Sequence, residues 1–179
     1  MIAQEARIEH PLIHYYFGSK EKLYDAVCEV LYEDFAVANR TWLEGLDKTL
    51  PKTGLPIYLD KLIDYTYRNP EPFMLISLNM SQFGSNEEIP GFRYLHLHME
   101  RVRQTVEEKI PLAGPKEEIR MFIYCLNNLV INLLGPRRTQ AMLLNMDPDG
   151  PEYRQWVKDA MLKLFLPWLT ELIFPPKKD

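Results

Sequence analysis

Apolar positions recur along this chain at steps of three and four, the period of a helix with one buried stripe. Residues 2–8, with Ile2, Ala3, Ala6 and Ile8 as apolar members, predict a short helix, and residues 11–17 predict a second. Ser19 suits an N-cap. From Lys20 to about Leu46 the stripe Leu23, Val27, Val30, Leu31, Phe35, Ala38 and Trp42 predicts one long helix. A break is expected over Pro51–Gly54, followed by a helix with Leu55, Tyr58, Leu59, Leu62, Tyr65 and Thr66 on one side. Asn69-Pro70-Glu71-Pro72 predicts a stop and a restart, because proline is tolerated in a first turn and not in mid-helix. The stretch from Phe73 to Phe83 is apolar nearly all round, which predicts a helix buried on most sides.

Gly84–Gly91 reads as a polar loop and Phe92 to Ile110 as another helix. Pro111–Pro115 is the next break, with Pro115 placed as a first helical residue. Residues 116–134 carry the stripe Ile119, Phe122, Ile123, Leu126, Leu129, Val130 and Leu133. Gly135-Pro136 stops that helix, and a short amphipathic piece runs on to Asn145. Pro151 opens the last helix, with Trp156, Val157, Ala160, Met161, Leu164, Phe165, Trp168 and Leu172, and Pro167 inside it predicts a kink. No segment alternates with strand-like boundaries, and there is no repeat. The pattern predicts an all-α fold with a tail, Pro175 to Asp179, that frays.

Composition narrows the function. The chain has 179 residues, 46% of them hydrophobic, enough for a real core in one or two compact units. Lys plus Arg number 21 against 25 Asp plus Glu, a net charge of −4. A basic surface throughout is excluded, so any nucleic-acid contact must be local. Cys28 and Cys125 cannot build a disulfide framework and fit a reducing compartment. Ile2-Ala3-Gln4-Glu5 is neither a basic nor an apolar leader. The best apolar stretches are broken by Asn127, Asn128 and Asn132, or by Pro167 and Glu171. A cytoplasmic protein with no membrane partner is therefore expected. Asn39-Arg40-Thr41 and Asn79-Met80-Ser81 match the glycosylation sequon by chance.

Little points to catalysis, a metal or a cofactor. Of the four histidines His10, His14, His96 and His98, the last two stand roughly 200° apart on a helix and cannot chelate one ion together. No cysteine pair has zinc spacing, and no glycine-rich phosphate loop or nucleophile elbow is present.

The informative stretch is Met1 to Tyr24: a short helix, a tight turn, an aromatic-rich short helix, then Phe17-Gly18-Ser19-Lys20-Glu21-Lys22-Leu23-Tyr24 opening the long helix. Two short helices across a tight turn suit a helix-turn-helix, and an amphipathic helical hairpin is the plain alternative. Ile2-Ala3-Gln4-Glu5-Ala6, Ile8, and Leu12-Ile13-His14-Tyr15-Tyr16-Phe17-Gly18-Ser19-Lys20-Glu21-Lys22-Leu23-Tyr24 resemble the signature of the TetR (tetracycline-repressor-like) transcriptional regulators. The resemblance covers about two dozen residues.

It implies a helix-turn-helix DNA-binding domain over residues 1–46, connecting helix included. A larger ligand-binding and dimerisation domain would fill residues 47–179. Residues 10–16 would be the recognition helix, with His10, Pro11 and Leu12 at its leading part and His14, Tyr15 and Tyr16 reaching bases or phosphates. Lys20 would hold a backbone phosphate, helped by the positive end of the long helix. Ile13 and Phe17 would face the small domain's core. Three residues depart from the family pattern: Arg7 stands where Gly is usual, so a left-handed backbone there costs energy; His14 replaces Tyr; and Glu9 replaces a small N-cap. The family's first helix and basic arm would precede residue 1. Residues 1–24 carry Arg7, Lys20 and Lys22 against Glu5, Glu9 and Glu21, no net charge, so DNA affinity would need cations from elsewhere.

Two further sites are expected. Tyr58, Tyr65, Phe73, Met74, Ser77, Met80, Phe83, His98, Met99, Tyr124 and Asn128, with Gln82 and Tyr94, mix adaptable apolar groups with polar handles, as the wall of an effector pocket does; ordinary core is the alternative. The resemblance implies a homodimer through a four-helix bundle of the last two long helices, with Phe122, Leu126, Val130, Leu133, Trp156, Met161, Leu164 and Trp168 as its contacts. The expected function is a ligand-responsive regulator, a repressor released from double-stranded operator DNA by a small apolar or aromatic effector. The alternatives are a dimeric helical ligand-binding protein whose incomplete reader no longer binds DNA, and a small all-α enzyme.

Overall fold

A computed structural model describes residues 2–81 and 92–175. Among the described residues there is no strand, and the helices are α1 (Ile2–Glu5), α2 (His10–Phe17), α3 (Lys20–Leu43), α4 (Pro51–Arg68), α5 (Glu71–Ser81), α6 (Phe92–Lys109), α7 (Lys116–Leu134), α8 (Arg137–Leu143) and α9 (Pro151–Ile173), with a 3₁₀ turn at Leu46–Lys48. The all-α fold class is as expected. α3 packs on α6, α5 and α4, α4 on α9, and α7 on α9, α6 and α5, so α7 is walled in on three sides.

Several boundaries shift for local reasons. The long helix ends at Leu43, not Leu46, because Gly45 turns left-handed at φ 77°. Pro51 opens α4 instead of breaking the chain, since a first-turn proline forfeits no helical bond. Gly54 sits inside that helix, where an added Cβ would stand 2.6 Å from the Thr49 hydroxyl. Pro115 is the N-cap of α7, so the helix begins at Lys116, one residue later than expected. α9 runs unbroken through Pro167, which is exposed.

Two buried faces also differ. On α3 the buried residues are Cys28, Tyr32, Phe35, Asn39 and Leu43, while Val27 and Val30 are exposed. The core stripe is turned by about one residue from the aliphatic one. It carries polar groups because partners exist: Tyr58 donates to Asn39 Oδ1 at 2.9 Å, Tyr24 donates to Asn79 Oδ1 at 2.9 Å, and Asn79 Nδ2 donates to Tyr32 at 3.5 Å. α5 is buried on one face only, through Phe73, Ile76 and Asn79, and leaves Met74 and Leu78 in solvent.

The core joins α3 to α9. Phe35 makes edge-on contacts with Trp42, Tyr65 and Phe73, and Phe122 does so with Phe165 and Trp168. Tyr153, fully buried, donates to the Leu133 carbonyl at 2.6 Å and pins α9 to α7. The Ala113 and Gly114 amides take the Leu172 carbonyl, which closes the free end of α9.

Candidate functional site

Among the described side chains α1 and α2 contribute no buried residue, and the first fully buried one is Cys28. The turn between them closes as the Schellman arrangement: the Ile8 amide bonds the Ala3 carbonyl at 3.0 Å and the Arg7 amide bonds the Gln4 carbonyl at 3.2 Å. Arg7 occupies the left-handed position at φ 54°, as expected, where an L side chain costs about 1 kcal/mol. Asn145 takes the same conformation after α8, and asparagine tolerates it better.

α2 begins at His10 without a side-chain cap from Glu9, and Pro11 lies in its first turn. Pro11, Leu12, His14, Tyr15 and Tyr16 are all exposed, Tyr15 at 80% and Tyr16 at 73%. The two tyrosine rings touch edge to face at 5.3 Å. They hold each other and leave their hydroxyls free for a partner. Of the inward pair, Ile13 is half-buried, but Phe17 is exposed, a correction: two short helices resting on one long one have only one covered side.

Behind α2 an open cleft is lined by Ile2, Ala3, Ile13, His14, Lys20 and Leu23. Lys20 is exposed at the head of α3. The helix end beside it is already occupied. Ser19 Oγ accepts from the Lys22 amide at 3.2 Å, and the Glu21 carboxylate is held below its usual range by its own amide and by the Ser19 hydroxyl. A phosphate at Lys20 must therefore share this end with an anion, and helix-dipole assistance is weaker than the sequence suggested.

The apolar cavity lies deeper and elsewhere than the residues picked for it. A partly open apolar space of about 60 Å³ lies between α3, α4, α6, α7 and α9, with Phe35, Leu55, Tyr58, Val106, Leu126 and Asn127 on its wall. That is room for roughly five waters, or for a single aromatic ring. Of the expected pocket residues only Tyr58 lines it. Phe73 and His98 are buried but lie outside the wall, Tyr65, Ser77, Met80 and Met99 are half-buried, and Met74 and Tyr124 are exposed. The Asn128 amide is spent on the Tyr124 carbonyl of its own helix. Phe83 and Gln82 lie outside the described residues. Met99 and Tyr124, with His96, instead border an open groove between α6 and α7. The true wall is mostly Leu, Val and Ile, which in sequence look the same as core.

One buried group is short of partners. His98 is 2% exposed, packs 5.0 Å from the Phe35 ring and 5.5 Å from the Tyr32 ring, and its Nε2 meets no hydrogen-bond partner among the described residues. Burial pushes its pKa down to about 4, opposed by a hydrogen bond with Asn127 and aided by the Arg101 charge. The imidazole is neutral at ordinary pH.

The residues expected at a dimer contact divide in two. Phe122, Leu126, Val130, Leu133 and Met161 are buried within one chain, and the first three line the cavity. They are core because α9 and α6 already cover that side of α7. Trp168 is half-buried against Phe122, while Trp156 and Leu164 are exposed, Leu164 at 58%. The outward face of α7 carries Met121, Cys125, Asn128 and Asn132, and that of α9 carries Trp156, Ala160 and Leu164. Among the described residues no single helix is long and apolar enough to cross a membrane.

No curated protein and no solved structure matches this chain. The family model of bacterial regulatory proteins, tetR family, matches residues 1–27, the segment that holds α1, the tight turn, α2 and the cap of α3. That match falls on an exposed second helix ahead of a capped long helix, so residues 1–27 are similar to the helix-turn-helix segment of those regulators.

Proposed function

We propose that the protein acts as a homodimeric repressor, in which residues 1–46 read operator DNA and residues 47–179 bind a small apolar effector and join the two copies. The observation that carries the reading is α2, exposed along Pro11, Leu12, His14, Tyr15 and Tyr16, with Lys20 beside it. His10 opens the same helix and completes the set. Copies paired through the outward faces of α7 and α9, with Trp156, Leu164 and Trp168 at the seam, would carry two such helices to successive major grooves, roughly 34 Å apart. The effector cavity would be the apolar space bordered by Phe35, Tyr58 and Asn127.

Release would follow from α3, which belongs to both units. Its first turns support α2, and its buried residues from Cys28 onward help to build the core, with Phe35 and Leu43 on the cavity wall. An effector that fits one position of α3 better than another shifts the reader by that difference in affinity.

The test is a gel shift with DNA flanking the protein's own gene. Binding should weaken steeply with salt, and Tyr15→Ala with Tyr16→Ala should abolish sequence preference. Lys20→Ala should lower affinity on all sequences and reduce the salt slope by about one. Salt-independent binding, or none, would leave the ligand-binding protein with an inactive reader as the better account.

A further inference from the structure

The chemistry of the apolar space limits what can fill it. Packed interiors leave few gaps larger than a water molecule, and an unfilled one forfeits contacts that an occupant restores. This space draws part of its wall from Leu43 at the end of α3, Pro51 at the start of α4, Ile110 just past α6 and Ile173 at the end of α9. It lies towards the end of the bundle away from α2, and it is partly open, which gives a small molecule a way in.

Among the described residues its wall holds no Asp, Glu, Lys or Arg. An ionised ligand would lie there without a counter-charge, which apolar surroundings disfavour strongly. Three side chains on the wall are polar, and each is paired within the protein. Tyr58 gives its hydroxyl proton to Asn39 Oδ1 at 2.9 Å, and Thr49 gives its own to the Leu46 carbonyl at 2.8 Å. A hydroxyl has one proton to give, so neither is left to serve a ligand oxygen or nitrogen. The Asn127 side chain is engaged with α6, where its amide nitrogen donates to Met99 Sδ at 2.6 Å and it shares a hydrogen bond with His98. An acceptor group carried into this space would lose its water and find no free hydroxyl in exchange.

We infer that the space selects an uncharged hydrocarbon or halocarbon the size of one ring, held by shape and dispersion with no hydrogen bond to the protein. This rests on the reading of the space as the effector site and narrows the effector to one chemical class. Selection here is by rejection: the wall penalises polar and charged molecules and recognises no head group. Phe35 and Leu43 belong to α3, so an occupant touches the helix on which α2 rests.

The experiment takes dissociation constants for the full chain from the ligand-dependent rise of its unfolding temperature. The probes are toluene, benzonitrile and benzoate, which are of nearly equal size, and naphthalene, which is more apolar but a ring larger. Toluene should bind about tenfold tighter than benzonitrile, the cost of one acceptor left unpaired, and at least about a hundredfold tighter than benzoate. Naphthalene should bind more weakly than toluene despite its greater hydrophobicity, because the room runs out. Val106→Phe fills the space and should abolish toluene binding while the helical signal persists; Val130→Leu, a milder filling, should weaken it. Benzonitrile or benzoate bound as tightly as toluene, at a site that these substitutions close, overturns the hydrocarbon class and leaves the space standing as the effector site. Naphthalene bound more tightly than toluene overturns the one-ring limit. Toluene bound equally by wild type and both variants, or no probe bound by wild type, overturns the space as an effector site and this inference with it.

Discussion

Burying His98 makes the stability of this protein depend on pH in a way that one substitution should remove. The imidazole pKa is about 4 in the folded chain against 6.5 for a free histidine. Three features disfavour the charged ring: loss of water, the Tyr32 and Phe35 rings against it, and the Arg101 charge one turn away. The Asn127 side chain works the other way and is outweighed. Between these two pKa values the unfolded chain binds a proton that the folded chain refuses. Stability therefore falls as pH drops from 6.5 towards 4 and is unaffected by this group above that window. At about 1.4 kcal/mol per pH unit, roughly 2 kcal/mol is lost by pH 5.

Denaturant unfolding of wild type and His98→Leu at pH 7.5 and pH 5 measures this. Both proteins keep the Arg40–Glu108 and Arg103–Glu100 pairs, whose carboxylates are also held below their usual range, so acid effects on those pairs cancel in the comparison. Wild type should lose about 2 kcal/mol more than the variant over this interval. Parallel losses in the two proteins would mean that His98 takes up its proton in the folded state, and the account of a dry, neutral imidazole would be wrong.

Three other perturbations test separate parts of the structure. Gly135→Ala should destabilise by about 2 kcal/mol in thermal unfolding, because the new Cβ would stand 2.7 Å from the Ile131 carbonyl oxygen and 2.8 Å from that of Phe73, both backbone atoms that cannot swing aside. Arg7→Gly should raise the stability of the N-terminal turn by about 1 kcal/mol, read as slower amide exchange at Arg7 and Ile8; faster exchange there would contradict the strained turn. Leu164→Glu places a charge on the exposed apolar strip of α9 and should convert a dimer to monomers in sedimentation while leaving the helical signal unchanged; a dimer that persists would put the seam elsewhere.

How much of this was legible in the sequence depended on whether a face was buried by one kind of neighbour or several. The α7 stripe of Ile119, Phe122, Ile123, Leu126, Val130 and Leu133 was read correctly because helix period and aliphatic character coincide there. On α3 they diverge. Val27 and Val30 look like core but face outward, and the buried face runs through Cys28, Tyr32 and Asn39, the last two paired with Asn79 of α5 and Tyr58 of α4, residues far off in sequence. The same limit applies to the apolar space, whose wall is mostly other residues than the ones expected to line a pocket. Periodicity says that a residue faces inward, and only the crossing of five helices decides whether the space it faces is filled. The turn at Arg7 was legible because one backbone position has its own local cost. The two short helices and the cap of α3 were legible because their residues are contiguous, so no tertiary information was needed to assemble them.

That contrast bears on how a signal could cross the molecule. α2 has little core of its own and leans on α3. α3 is held to α6 by two exposed ion pairs, Arg40 with Glu108 and Arg101 with Glu33, each worth at most about 1 kcal/mol. The firmer attachment is internal. Asn79 of α5 bridges Tyr24 and Tyr32, and Tyr32 stacks on Tyr94 and packs against His98 of α6. Tyr24 lies a little over one turn from the Ser19 cap. His98 therefore meets the buried face of α3 at Tyr32, about three and a half turns from the Ser19 cap, and the weak outer ion pairs offer little resistance to a shift there. Asn79→Leu removes the bridge while keeping an apolar side chain. If α3 transmits core packing to α2 as a rigid rod, the variant should bind DNA differently from wild type in gel shifts while thermal unfolding shows its core intact; identical DNA binding would refute the coupling.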